Sequence, residues 1–232
     1  MLIESHVMSC EPTPVTSADQ ETTRPGLEAL LRGMPLLRRR LQPKQTLFRE
    51  GQPCKALYLV HAGCFKTCVL SEDGREKITG FHLRGDLLAI DSYDTPTHAC
   101  SAVALDTSEV WELPLDLLKS QLPEALPLVT AMLANELRRD WRWMLTVGTL
   151  NAEQRVVAFL LDLATRLEAL GFSARQLFLR MTRAELGNFL SLQLETVTRA
   201  LSRLAAAGMI QVEGREIRIE NAPALRAMLG TH

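Results

Sequence analysis

The chain has 232 residues, 47% hydrophobic and 23% charged, with a formal net charge of −1. That length points to one or two domains, and the apolar share is enough for buried cores, which excludes a disordered chain or a fibrous repeat. The longest apolar runs, such as Val156 to Leu161, fall far short of the roughly 20 residues a bilayer demands, and no apolar segment follows Met1, so a cytoplasmic protein with no membrane partner is expected.

The near-neutral sum hides an asymmetry. Residues 1–150 carry 16 Lys+Arg against 19 Asp+Glu, whereas residues 151–232 carry 10 Arg, no Lys and 8 Asp+Glu. An all-arginine set suits bidentate contact with phosphate or guanine, although ordinary surface charge gives the same number. The five cysteines, Cys10, Cys54, Cys64, Cys68 and Cys100, form no C-x-x-C pair. An odd count without a secretory signal fits reduced thiols serving as small buried hydrophobes.

In chain order, residues 1–25 are rich in Pro, Ser, Thr and acids and read as a mobile tail. Residues 26–41 read as short and helical, interrupted near Pro35. From Gln45 to Leu115, short apolar runs alternate with turn residues, and Asp73-Gly74 marks a hairpin tip, the pattern of a β jelly roll or barrel. These residues, 26–122, form the first expected domain. Over 123–150 the period becomes helical. Leu126, Thr130, Leu133, Leu137, Asp140, Met144 and Val147 follow steps of four and three, a coiled-coil seam on a helix roughly 35 Å long, pointing to a homodimer. Asp140 breaks the seam. Either its carboxylate faces its own copy across the dimer and weakens it, or it tilts outward and pairs with Arg139 or Arg142. A further helix, Asn151 to about Leu170 with Gly171 after it, opens a second domain over 151–232.

Within that domain, Thr182-Arg183-Ala184-Glu185 is a capping box, followed by a helix to about Leu190, a turn at Ser191-Leu192-Gln193, and a second helix from Leu194 to about Ala207. This is a helix-turn-helix. Leu194, Val197, Leu201 and Leu204 form the expected inner face of the second helix. Glu195, Thr198, Arg199 and Ser202 form its outer face, the residue types that read base edges in a major groove. Thr196 and Arg203 flank it and suit phosphate contacts, as does Thr182. Glu195 and Arg199 at i, i+4 also suit a plain surface ion pair. Residues 209–220 read as two strands around Gly214-Arg215, a β-wing whose tip residue Arg215 suits a phosphate.

Three stretches, EKITGFHLRGDLLAID (76–91), LNAEQRVVAFLLDLATR (150–166) and MTRAELGNFLSLQLETVTRALSRLAAAGMI (181–210), resemble the CRP/FNR family of bacterial transcription regulators, in particular its FNR branch. The resemblance implies an α+β architecture: a cyclic-nucleotide-binding-type β jelly roll, a long dimerisation helix and a C-terminal winged helix-turn-helix. It implies a dimeric DNA-binding activator, not an enzyme. Its E-x-x-S-R motif falls on Glu195, Thr198 and Arg199, and Leu194 replaces the arginine of the CRP branch, so a TTGAT-like inverted repeat in double-stranded DNA is implied. The loop Ser71, Glu72, Asp73, Gly74, Arg75 resembles the surface that touches RNA polymerase, and Asp140 matches an acidic position opposing dimerisation.

The sensor departs from the pattern. The FNR cluster needs three cysteines near the N-terminus and one in the barrel; here the tail has Cys10 alone and the barrel position is Trp111, which cannot ligate iron. At the CRP cyclic AMP site, Gly85-Asp86 matches only approximately and His98-Ala99 replaces an Arg-Ser pair, removing the phosphate's main counter-charge. No cofactor or metal is therefore expected. The competing reading is a sensor module responding to redox or to nitric oxide or oxygen, with a small ligand or haem held by His61, His82 or His98.

Overall fold

A computed structural model describes residues 24–32, 34, 36–120 and 125–230. The expected tail, with Cys10, lies outside the described residues except for Arg24 and Pro25, which open helix α1 (Arg24–Leu31); so do Pro35 and the expected start of the long helix at Pro123.

Eight strands follow α1: β1 (Leu37–Leu41), β2 (Thr46–Phe48), β3 (Ala56–Ala62), β4 (Cys64–Leu70), β5 (Glu76–Leu83), β6 (Leu87–Leu88), β7 (Ser101–Ala104) and β8 (Ser108–Pro114). They form two four-stranded sheets, ordered β1-β8-β3-β6 and β2-β7-β4-β5, which close on one core containing Leu57, Leu59, Phe65, Ala102 and Val110. Helix α1 bears out the helical reading of residues 26–41 as far as Leu31, and strand β1 corrects it over Leu37–Leu41. Leu37 and Leu41 are four apart, a spacing that fits one face of a helix or of a strand equally well. The partner strand decides: β1 runs antiparallel to β8, with Arg39 at 3.8 Å from Glu112 and Arg40 at 3.0 Å from Glu109. No local pattern announces those acids.

Helix α2 (Leu115–Ser120) leads to the long α3 (Ala125–Thr149). Then come α4 (Ala152–Ala169), β9 (Gln176–Phe178), α5 (Arg183–Leu190), α6 (Leu194–Ala206), β10 (Ile210–Glu213), β11 (Glu216–Ile219) and α7 (Ala222–Met228). Two helix starts are fixed by reciprocal caps, Asn151 with Gln154 and Thr182 with Glu185, each satisfying two amides that the helix leaves free. The wing sheet has a third strand, ordered β10-β11-β9, which the sequence reading lacks. At three residues, with only Leu177 buried, β9 carries too little alternation to be seen locally.

Strand β4 serves two cores. Phe65 points into the barrel, whereas Cys64 and Cys68 join Ile78, Phe81 and Leu83 against α4 and α5. Burial on both faces explains why β4 reads as an apolar run rather than an alternation. Cys54, Cys64, Cys68 and Cys100 are all buried free thiols, and burial pushes Cys64 up to about 12 and Cys68 up to about 11, the behaviour of small core hydrophobes. No described helix is long and apolar enough to cross a membrane.

Candidate nucleic-acid interface and dimer face

The helix-turn-helix is set by tight local geometry. Thr182 Oγ1 accepts from the Glu185 amide at 3.1 Å and Glu185 Oε2 accepts from the Thr182 amide at 2.8 Å, so the Thr182 hydroxyl is committed to the cap. A Cβ on Gly187 would meet the Leu192 carbonyl oxygen at 2.6 Å, so only glycine lets the turn close against α5. Ser191 takes the left-handed conformation at φ 56° in place of a turn glycine, and Gln193 makes no side-chain cap to α6.

On α6, Val197, Ala200, Leu201 and Leu204 are buried, while Glu195, Arg199, Ser202 and Arg203 are exposed and Thr196 and Thr198 half-buried. One expected inner residue is corrected: Leu194 is 44% exposed. As the first residue of the helix it has no preceding turn beside it, and it emerges on the same flank as Thr198. Glu195 and Arg199 form no ion pair; Arg199 Nη2 reaches only Thr196 Oγ1, at 3.4 Å. Arg203 lies on the opposite flank, 3.9 Å from Glu153. Ala152, Glu153, Thr196, Arg199, Ala200 and Arg203 line a shallow depression between the start of α4 and α6. At the wing tip, Gly214 takes φ 62° and the exposed Arg215 donates to the Arg180 carbonyl at 3.3 Å.

Helix α3 has two apolar faces. Ala125, Val129 and Met132 pack on the barrel, with Leu126 half-buried beside them. The other face lies open: Leu133, Leu137, Trp141, Met144 (67% exposed) and Leu145 stand in solvent, and Val147 is half-buried. Thus six of the expected seam residues, Thr130, Leu133, Leu137, Asp140, Met144 and Val147, are available to a second chain, while Leu126 is shared with the barrel. The pairing of Asp140 with Arg139 is not found. Arg139 turns inward, 2.6 Å from Glu136 and 3.8 Å from Asp86. Asp140 sits on the exposed side of the helix, where the crowding of neighbouring protein and then the Glu136 carboxylate push its carboxyl up to about 6.

The β4–β5 hairpin tip is wholly exposed. The Ser71 amide donates to the Arg75 carbonyl at 2.9 Å, the Ser71 hydroxyl donates to Asp73, and the Arg75 guanidinium beside Asp73 holds that carboxyl below its ordinary range. In the barrel, Trp111 is buried and stacks on His61, with ring centroids 4.6 Å apart. His98 is buried and stacks on Phe48 at 3.9 Å. His82 Nε2 lies 3.0 Å from Thr67 Oγ1, and burial pushes its imidazole down to about 4. Asp86 accepts from the Leu83 amide at 2.8 Å and from Arg166 of α4 at 2.5 Å. Among the described residues, no group of three or more His, Cys, Asp or Glu gathers to hold a metal.

In the sequence Asp86 matches the nucleotide site only in part, and nothing local marks Arg139, Arg166, Lys77 or Asn188 as ties between elements. They lie tens of residues apart, so no spacing rule joins them.

Comparison with known proteins gives two matching family descriptions: a cyclic nucleotide-binding domain over residues 38–124 and a Crp-like helix-turn-helix domain over 154–228. The chain is 40% identical over 193 residues to the fumarate and nitrate reduction regulatory protein of Salmonella typhimurium, covering 82% of this chain and 77% of that one. It is 37% identical over 224 residues to the transcriptional activator protein anr of Pseudomonas aeruginosa, covering 95% and 88%. The solved structure of FixK2 from Bradyrhizobium japonicum superposes with a TM-score of 0.75 at 30% identity, covering 83% of this chain and 96% of that one.

Proposed function

Since the chain belongs to the CRP/FNR family of DNA-binding regulators, in its FNR branch, we propose that it acts as a homodimeric transcription activator reading a TTGAT-like inverted repeat. The observation that carries this reading is the outer face of α6, where Glu195, Arg199 and Ser202 are exposed and, among the described residues, neither Glu195 nor Arg199 forms an ion pair. A major groove accepts such a helix, Arg199 grips the O6 and N7 acceptors of guanine, and Glu195 accepts from the cytosine amino group. Thr198 supplies a hydroxyl and a methyl on the adjoining flank. Thr196, Ser202, Arg203 and Arg215 surround this core and serve the phosphates, fixing register without reading sequence; the Thr182 hydroxyl, closed in its cap with Glu185, is not among them.

The division of labour follows the chain: residues 26–122 as sensor domain, 123–150 as dimerisation helix, 151–232 as DNA-binding domain. The open face of α3 supplies the dimer contact, and the exposed hairpin Ser71–Arg75 supplies the polymerase contact. The barrel acts without a nucleotide or an iron–sulfur cluster of the FNR type. This reading is supported by Asp86, an approximate match to the family's nucleotide position, being engaged by Arg166, and by the buried Trp111 standing where the resemblance implies a cluster cysteine.

The test is binding of the full chain to duplexes bearing the inverted repeat or a scrambled control, at fixed salt. The proposal expects a clear preference for the repeat that Arg199→Ala largely removes. Equal affinity of the wild type for both duplexes refutes it.

A further inference from the structure

Among the described residues, only two Asp, Glu, Lys or Arg residues are buried, Asp86 and Arg139, and their side chains face one another. Asp86 sits in the turn after β5, Arg139 on α3 and Arg166 on α4, so one carboxylate touches the barrel, the dimer helix and the first helix of the DNA-reading unit. Glu136 lies 2.6 Å from Arg139 and Asp162 3.8 Å from Arg166, so each guanidinium faces a second carboxylate. Ion pairs in such places add little net stability compared with apolar packing, but they penalise every arrangement in which one partner is left alone.

A second tie lies along β5. Asn188 of α5 behaves like a piece of neighbouring strand: its Oδ1 accepts from the Ile78 amide and its Nδ2 donates to the Glu76 carbonyl, both at 2.7 Å. Lys77 Nζ donates to the Asn188 and Phe189 carbonyls and to Ser191 Oγ at the end of α5, where the helix leaves carbonyls unpaired. Phe81, Trp143, Phe159 and Phe189, one each from β5, α3, α4 and α5, form one aromatic cluster, with Phe189 edge to face against the other three. An amide pair that fits in one register, a buried charge group and an aromatic cluster together hold the reading unit on the barrel.

We propose that Asp86 and Asn188 are positioning residues that hold α6 at a fixed angle to the dimer helix, and so set the spacing between half-sites that the protein accepts. The proposal rests on the dimeric DNA-reading role above. Neither residue lies among those assigned to bases or phosphates. One added base pair moves a half-site roughly 3.4 Å along the duplex and turns it by roughly 35°, a displacement that a clamped unit cannot follow and a released one can.

The experiment measures affinity of the full chain for inverted repeats at the wild type's best spacing and at one and two base pairs more or less, beside a duplex with scrambled half-sites. Wild type, Asn188→Ala and Asp86→Asn are compared. The expected result is that both variants lose about tenfold of the preference for the best spacing while keeping their preference for the repeat over the scrambled sequence. Weaker folding alone lowers all affinities together and does not change that ratio. Should Asp86→Asn fail to fold, Asn188→Ala and Lys77→Met decide the outcome. Variants that keep the wild-type spacing profile overturn the positioning role, whereas a wild type indifferent to the scrambled duplex overturns the DNA-reading role on which it rests.

Discussion

The barrel and the recognition helix use the same side-chain chemistry in opposite ways. In the barrel, Asp86 is held by Arg166, His98 stacks on Phe48 and Trp111 on His61, although among the described residues His98 Nδ1 and Trp111 Nε1 have no hydrogen-bond partner. On α6, Glu195 and Arg199 are within reach of each other by spacing, yet form no ion pair. A charge satisfied within the fold is held there by the desolvation cost of breaking the pair; a charge left without a protein partner at a helix surface is available to an external one. The contrast supports the reading surface proposed on α6.

The largest expected effect comes from undoing the barrel's side of this contrast. Asp86→Ala leaves Arg139 and Arg166 facing each other without their shared carboxylate, and should cost about 3–5 kcal/mol of stability, as breaking one partner of a buried pair does. Urea unfolding of wild type and variant measures it. A change below about 1 kcal/mol would show that water screens the group, and the barrel would then be open where it is described as closed. Next in size is the other side. Arg199→Ala should remove about 1–3 kcal/mol of discrimination between the repeat and a duplex changed at its guanine, with unfolding stability unchanged because the guanidinium supports little else. Competition binding at constant salt gives the number.

What was legible in the sequence divides along similar lines. The capping box at Thr182, three of the four buried residues of α6 (Val197, Leu201 and Leu204, but not Ala200) and the wing strands were readable, because each depends on residues a turn or a pleat apart. Strand β1 was not, since Leu37 and Leu41 fit either period and the deciding acids lie about 70 residues away on β8. Leu194 was assigned inward because its spacing to Val197 and Leu201 is right; spacing ignores that a first residue lacks a neighbouring turn. The inward turn of Arg139, and with it the fate of Asp140, depends on a barrel carboxylate that no pattern within α3 encodes. Reading the outer face of α6 needed only local periodicity, whereas the ties that hold the unit in place are all long-range.

The long helix carries a third prediction, of intermediate size, on the homodimer proposed above. Asp140 stands amid Leu137, Trp141 and Met144, and its carboxyl is already pushed up to about 6 by crowding and by Glu136. The groups facing it from elsewhere include Asp91 of the barrel, which raises it further, and Arg139, which opposes the rise. The folded chain therefore takes up this proton at a higher pH than an unfolded chain does, and the carboxylate's destabilising influence is present above about 6 and fades as pH falls through that value. Association brings two such groups together and strengthens the effect, so dimerisation should tighten about tenfold between pH 8 and 5.5. Sedimentation equilibrium measures this, with Asp140→Asn as the control: tight at both pH values and insensitive between them. A wild-type dimer that weakens as pH falls would place Asp140 outside the interface.

The smallest expected effect sharpens the description of α6 itself. Arg203 is the one cation assigned to the phosphates there that has an acidic neighbour, Glu153, 3.9 Å away at the rim of the depression between α4 and α6. Both side chains reach solvent, so the pair contributes little to stability and Glu153→Gln should leave the unfolding curve unchanged. Its influence on DNA is larger than on folding, because a phosphate approaching Arg203 also approaches the Glu153 carboxylate. Neutralising that acid should raise affinity about threefold at low salt, equally for the repeat and for a scrambled duplex, since phosphate contacts carry no sequence information. The gain should shrink at high salt, where exposed charges are screened. A gain confined to the repeat would instead move Arg203 from the phosphates to a base edge, and the flank of α6 facing α4 would then belong to the reading surface.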